Sequence, residues 1–234
     1  MPSHPNEGKR VLGLFAKKPI PGQAKTRLAA TTTPAWAVQV AEAALRDTVG
    51  RLAGIDAERV LGYTPVEAEP YFADLVAKRF LLQPQSAGDL GQRMAAFLAR
   101  QLQQGAGKAV LLGTDSPTLP VEFIEEAFCR LEHADVVLGP ATDGGYYLVG
   151  CAGKVPPIFE GMTWGASSVL ADTVHRLADT SWRLALLPPW YDLDTLEDWQ
   201  MLVGHVKAMR RAGFDPGVPH LEKLIAAGTP EASG

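Results

Sequence analysis

Lys108-Ala-Val-Leu-Leu-Gly-Thr-Asp-Ser-Pro-Thr-Leu-Pro-Val-Glu-Phe-Ile-Glu-Glu-Ala-Phe-Cys-Arg-Leu131 reads as a strand, a polar loop and a helix in direct succession. The apolar run up to Gly113 predicts a buried strand, and Pro120 opens a helix over Val121–Leu131. The same unit recurs on either side. Strands are expected at Val11–Ala16, Arg59–Tyr63, Phe80–Leu82 and Arg183–Leu187, with helices at Pro34–Leu52, Glu67–Ala77, Leu90–Gln104, Ser167–Leu177 and Leu196–Arg211. Such alternation predicts an α/β three-layer sandwich around a mainly parallel sheet. Asp135–Gly139 and Tyr146–Val149 depart from it, because two strands follow each other without a helix. One mixed edge is therefore expected. In open sheets of this kind ligands collect beyond the carboxyl ends of the strands, so polar residues just after strands are the first suspects.

Composition narrows the class. Of 234 residues, 47% are hydrophobic and 21% charged, which excludes disordered, coiled-coil and collagen-like chains. The 22 Lys and Arg against 26 Asp and Glu leave a net charge of −4, which argues against a nucleic acid partner. Two cysteines, Cys129 and Cys151, make no disulfide framework. The polar opening lacks a signal-peptide core, and no apolar stretch reaches the roughly 20 residues of a membrane helix. A cytoplasmic protein without a membrane partner is the expectation; the sequence leaves the oligomeric state open. Residues 1–9 are expected to be flexible, 10–212 to form one domain, and 213–234 to pack on or trail it.

Six loops could carry chemistry. Lys17, Lys18, Lys25 and Arg27 follow the first strand, in a segment that Pro19, Pro21 and Gly22 bar from regular structure. Four cations in an acidic chain suit a diphosphate or triphosphate, or else a solvated surface loop. The segment is neither a dinucleotide fingerprint nor a P-loop. Asp115 falls directly after the strongest strand and could hold a hard divalent cation against phosphate oxygens, or merely satisfy turn amides. Asp192 and Asp194 are two apart and project to one side of an extended segment. Asp194 also fits a capping box with Glu197, which leaves Asp192 the better ligand candidate. Asp143, Gly144 and Gly145 form a hairpin-turn signal, or let a substrate approach the backbone with Asp143 as acceptor base. Asp89 reads as a helix N-cap, with turn amides that could equally meet a nucleotide near Arg93. Trp164 beside Gly165 is core aromatic or a pocket wall. The scattered histidines show no metal-ligand spacing, and no acyl-transfer nucleophile motif is present.

Taken in order, Phe15-Ala-Lys-Lys-Pro-Ile-Pro-Gly-Gln-Ala-Lys-Thr-Arg-Leu28, Gly88-Asp-Leu-Gly-Gln-Arg-Met94, Gly113-Thr-Asp-Ser-Pro117, Asp143-Gly-Gly-Tyr-Tyr147, Trp164-Gly165 and Asp192-Leu-Asp-Thr195 resemble the DUF2064 family, also called radical-SAM/selenodomain-associated transferase 1. The resemblance covers roughly residues 10–205. It implies the GT-A fold of nucleotide-diphospho-sugar transferases and, from the way members are described, glycosyl transfer. The Lys25-Thr-Arg-Leu28 loop is also similar to that of cofactor-synthesis nucleotidyltransferases. By resemblance, Lys25 and Arg27 bind donor phosphates and Asp115 is the principal ligand for Mg²⁺ or Mn²⁺. The chain reads Thr-Asp-Ser where GT-A enzymes carry Asp-x-Asp, so the second carboxylate would come from Asp192 or Asp194.

These readings converge on a metal-dependent transferase with a nucleotide-linked donor, an NDP-sugar or an NTP, and a small-molecule acceptor. Lys17, Lys18, Gly22, Lys25, Arg27, Asp89 and Arg93 would face the donor. Asp115, Asp192 and Asp194 would hold the metal, and Gly144, Gly145, Tyr146 and Trp164 would wall the acceptor. Lys25, Arg27, Asp115 and Asp143 are the catalytic candidates. Glycosyl transfer comes first; nucleotidyl transfer with release of pyrophosphate, or a nucleotide-binding module without turnover, are the alternatives.

Overall fold

A computed structural model describes residues 8–230. The expected flexibility of the first residues, and the last few residues of the tail, thus fall largely outside the described part. Within it, the strands are β1 (Lys9–Lys17), β2 (Glu58–Thr64), β3 (Leu81–Pro84), β4 (Ala106–Leu112), β5 (Val136–Pro140), β6 (Tyr146–Ala152) and β7 (Leu184–Leu186). The α-helices are α1 (Thr26–Thr31), α2 (Pro34–Leu52), α3 (Glu69–Val76), α4 (Leu90–Gln103), α5 (Val121–Arg130), α6 (Val169–Leu177), α7 (Leu196–Arg211) and α8 (Pro219–Ala227).

The strands form one sheet in the order β3-β2-β1-β4-β6-β5-β7. β6 runs antiparallel to both β4 and β5, and the other neighbouring pairs are parallel. The reversed strand therefore lies inside the sheet rather than at an edge, where the sequence put it. Its hairpin partner β5 takes the outer position, and β7 pairs in parallel beyond that.

Alternation along the strands builds two cores. Leu12, Leu14, Val110 and Leu112 face α2, α3 and α5, packing with Leu45, Phe72 and Phe128. Val11, Ala109, Leu111 and Val149 face α4 and α6, packing with Phe97, Leu98 and Leu177. The central strands thus have both faces covered, which is why their runs are nearly continuously apolar. A third cluster joins α2 to α1, α7 and α8 around Trp36 and Trp199, whose rings meet edge to face at 5.0 Å.

Two features were not legible in the sequence. α1 begins inside the segment expected to be irregular. The chain after Gly213 turns back as α8, which docks on α2 through Asp47. That buried carboxylate accepts from the backbone N–H groups of His220 (3.0 Å) and Leu221 (2.9 Å), so it satisfies the free amides at the start of α8 from another helix. Among the described residues no helix is long and apolar enough to cross a membrane.

Candidate active site

β1 leads to β2 on one side of the sheet, while β4 lies on the other. The chain direction therefore splits between β1 and β4, and a cleft of about 570 Å³ opens beyond their carboxyl ends. The end of β1, the loop after it and the first turn of α1 supply Lys17, Lys18, Lys25 and Arg27 to its wall. The loop after β4 supplies Thr114, Asp115 and Ser116; the segment before α7 supplies Asp192 and Asp194; and Asp143, Gly145, Tyr146, Trp164 and Arg93 complete it.

Lys25 is the centre of this arrangement. Its ammonium lies against Asp115 and 2.9 Å from Asp194, and its side chain is only 7% exposed. Burial disfavours the charged amine, but the two carboxylates outweigh it and raise the Lys25 pKa above the ordinary lysine value. The residue stands at the entry of α1 with φ 45° and ψ 51°. A left-handed conformation in a non-glycine residue costs about 1–3 kcal/mol and persists only where the surroundings hold it. At Lys25 that conformation coincides with a side chain fixed by two ion pairs.

Backbone contacts explain how the acids reach Lys25. Residue 190 bridges to Ala141 at the end of β5, laying the segment after β7 along the β5–β6 hairpin. Leu193 N–H then donates to the Asp115 carbonyl at 2.8 Å. Leu193 is fully buried in the third cluster, so Asp192 and Asp194, one residue to either side, face the cleft. The Tyr191 hydroxyl meets both Thr118 (2.8 Å) and His205 Nδ1 (2.9 Å), pinning the loop of Asp115 to α7.

Asp192 accepts a hydrogen bond from Ser116 Oγ at 2.5 Å. Its pKa is pushed up to about 6 by burial, with Asp115, Asp143 and Asp194 adding repulsion and the Ser116 bond opposing it. Asp194 does not cap α7 with Glu197 as the sequence suggested. Thr195 is the N-cap and Asp198 its partner, because Asp198 sits at the third helical position from Thr195. Asp194 is thereby left for Lys25.

Other candidates divide. Arg27 and Lys17 are exposed on the cleft wall, and Lys18 lies over the Tyr71 ring at 5.4 Å. Gly22 belongs to the turn but not to the wall. Asp89 forms a full capping box with Gln92 at the start of α4 and stays off the wall, while Arg93 reaches Gln85 from it. Asp143 accepts from Gly145 N–H at 2.8 Å, the bond of a tight turn. Gly144 does not line the cleft: a Cβ there would lie 2.1 Å from the Ser167 carbonyl, so the hairpin packs closely on the loop before α6 at this residue. Trp164 is half-buried, lining the cleft with one part and packing on the second core with another. Gln23 and Gln85 line the cleft without any signal that marked them in the sequence.

Among the described residues, no group of three or more His, Cys, Asp or Glu side chains is gathered to hold a metal ion by itself. The donor chemistry nevertheless fits a hard cation. Asp115, Asp143 and Asp194 surround the buried Asp192 at one end of the cleft, and their oxygens suit Mg²⁺ or Mn²⁺. Mg²⁺ commonly takes one or two carboxylates together with substrate phosphates rather than a complete protein cage.

A mixed sheet of this order, with its cleft at the switch point, is the fold of nucleotide-diphospho-sugar transferases. A crystal structure assigned to that class from Desulfovibrio desulfuricans G20 superposes with a TM-score of 0.84 at 30% identity, covering 93% of this chain and 97% of its own. The chain belongs to DUF2064, the family described as uncharacterized protein conserved in bacteria, whose model matches residues 48–166, just over half of its length. A curated relative, 3-phospho-D-glycerate guanylyltransferase of Phenylobacterium zucineum (strain HLK1), is 33% identical over 137 residues. The match covers 57% of this chain and 63% of that protein, so it spans less than two thirds of the relative. The 4-diphosphocytidyl-2C-methyl-D-erythritol synthase of Anaerococcus prevotii DSM 20548 shares the fold, with a TM-score of 0.58 at 10% identity over 85% of this chain and 96% of its own.

Proposed function

We propose that the protein is a metal-dependent nucleotidyltransferase that moves a nucleoside monophosphate from an NTP, GTP first among those to test, onto a small phosphate-bearing acceptor. The observation that carries this reading is the convergence of Lys25, from the loop after β1, with Asp115 and Asp194 from two other loops. A triphosphate needs cations along its length and acids only where a metal sits, and the cleft offers both within one wall. The guanylyltransferase relative supports the donor class. Glycosyl transfer, which the sequence ranked first, becomes the second reading; the class of the Desulfovibrio relative favours it. The single carboxylate of Thr114-Asp-Ser116 favours nucleotidyl transfer.

In this reading, Lys25, Arg27 and Lys17 neutralise the β- and γ-phosphates and so stabilise the leaving pyrophosphate. Asp115 and Asp194, with Asp192 beside them, would hold a divalent cation, which would offset charge on the α-phosphate and the leaving group. An acceptor phosphate oxygen attacks the α-phosphorus, the new P–O bond forms, and the bond to the β-phosphate oxygen breaks. A phosphate monoester has its second pKa near 6, so it is already nucleophilic at neutral pH and needs no general base. That agrees with Asp143 being occupied by its own turn.

Product analysis decides between the readings. The protein with Mg²⁺, an NTP panel and phosphorylated small acids should release pyrophosphate. Release of nucleoside diphosphate from an NDP-sugar panel instead would establish glycosyl transfer, and no turnover on either panel would leave a nucleotide-binding module.

A further inference from the structure

We propose that Lys25 is a built-in counter-ion that keeps the cation's place between Asp115 and Asp194 until a nucleotide arrives, so that the cleft takes up divalent metal together with nucleotide rather than ahead of it. The inference rests on the nucleotidyltransferase reading for the identity of the nucleotide, but its basis is the geometry of one side chain.

The Lys25 ammonium is buried and touches carboxylates contributed by two loops far apart in sequence. An ammonium donates three hydrogen bonds and accepts none, so it cannot share a metal; it can only compete for the same oxygens. Those oxygens are the ones a cation would need, and among the described residues no three acidic side chains are gathered closely enough to cage it without phosphate. A metal entering alone would therefore meet a buried positive charge already paired with its ligands. A nucleotide changes both sides of this balance. Its phosphate oxygens supply the missing ligands, and they give the ammonium a new anionic partner a short swing away. The left-handed backbone at Lys25 is consistent with a residue held in place by its ion pairs, since no side chain caps α1 there. Metal and nucleotide should accordingly raise each other's affinity by the same factor.

The test is a Mn²⁺ titration of the full-length protein without nucleotide, following the free-Mn²⁺ signal by electron paramagnetic resonance. The wild type should bind Mn²⁺ weakly. Lys25→Met and Lys25→Gln should bind it about tenfold more tightly or better, Lys25→Arg should behave as wild type, and adding Asp115→Asn to Lys25→Met should remove the gain. Circular dichroism checks that each variant folds. Equal or weaker Mn²⁺ binding by the folded neutral variants overturns the proposal, as does tight stoichiometric Mn²⁺ binding by the wild type alone, a result that needs no variant. A gain in Lys25→Met without pyrophosphate release by the wild type would mean that the reaction is misassigned while the counter-ion role stands. Pyrophosphate release without that gain would mean the reverse.

Discussion

Ser116 Oγ donates to Asp192 Oδ1 at 2.5 Å, joining the loop after β4 to the segment before α7 across the floor of the cleft. The bond does not offset the cost of burying Asp192, whose pKa stands at about 6 against about 3.9 for an unfolded aspartate. The sign follows from proton counts. Between those two values the folded protein holds a proton that the unfolded chain has lost, so the stabilising contribution is full below about pH 4 and is lost as pH rises through about 6. In EDTA at pH 8, Asp192→Asn should therefore be more stable than wild type by about 2 kcal/mol, with the gap closing toward pH 4. Urea unfolding at both pH values measures it. A wild type as stable as the variant at pH 8 would contradict the burial cost assigned to Asp192.

Gly144 tests the hairpin's packing. With φ at 93° and a Cβ position 2.1 Å from the Ser167 carbonyl, Gly144→Ala should cost about 2–4 kcal/mol. Gly145→Ala, whose Cβ would come no closer than 3.2 Å to Asp143, should cost less. Equal losses from the two variants in denaturant would show that the close approach at Gly144 is not what holds the loop.

The start of α7 offers a local test. Thr195→Ala removes the N-cap and should destabilise by about 1 kcal/mol, whereas Glu197→Ala should be near neutral. The opposite ranking in thermal unfolding would restore the Asp194–Glu197 cap that the sequence suggested.

That misreading shows where sequence reasoning runs out. Strand and helix positions were legible because apolar periodicity is set by burial on known faces; α2 and α7 match their expected limits throughout. The place of Asp115 in the cleft was legible because it lies in the loop directly after the most apolar strand. The choice between Thr195 and Asp194 as cap was not, since both are good N-caps and each has an acid three residues on. In the structure Thr195 and Asp198 form the cap, and Asp194 pairs with Lys25 from a distant loop. The interior position of β6 was equally hidden, because a hairpin can lie at an edge or be inserted, and only the pairing of β6 with β4 distinguishes them. Gln23 and Gln85 carry no pattern that sets a cleft residue apart from a surface one. The trans cap from Asp47 to α8 joins residues 173 and 174 positions apart, beyond any local signal.

Asp143 separates two chemistries. If the acceptor nucleophile is a phosphate, Asp143→Asn should keep kcat within about threefold of wild type at pH 7.5, since the Asn side chain can still accept from Gly145 N–H. Loss of a general base would instead lower kcat by about 10²- to 10⁴-fold, pointing to a hydroxyl acceptor that Asp143 deprotonates.

The convergence of Lys25 and Asp115 on one triphosphate is tested most directly by calorimetric titration of GTP in the presence of Mg²⁺. The wild type should bind with one site per chain, and Asp115→Ala should weaken that binding by about tenfold or more while binding without Mg²⁺ changes far less. Unaltered GTP affinity in Asp115→Ala with Mg²⁺ present would contradict a shared metal and phosphate site beyond β1 and β4.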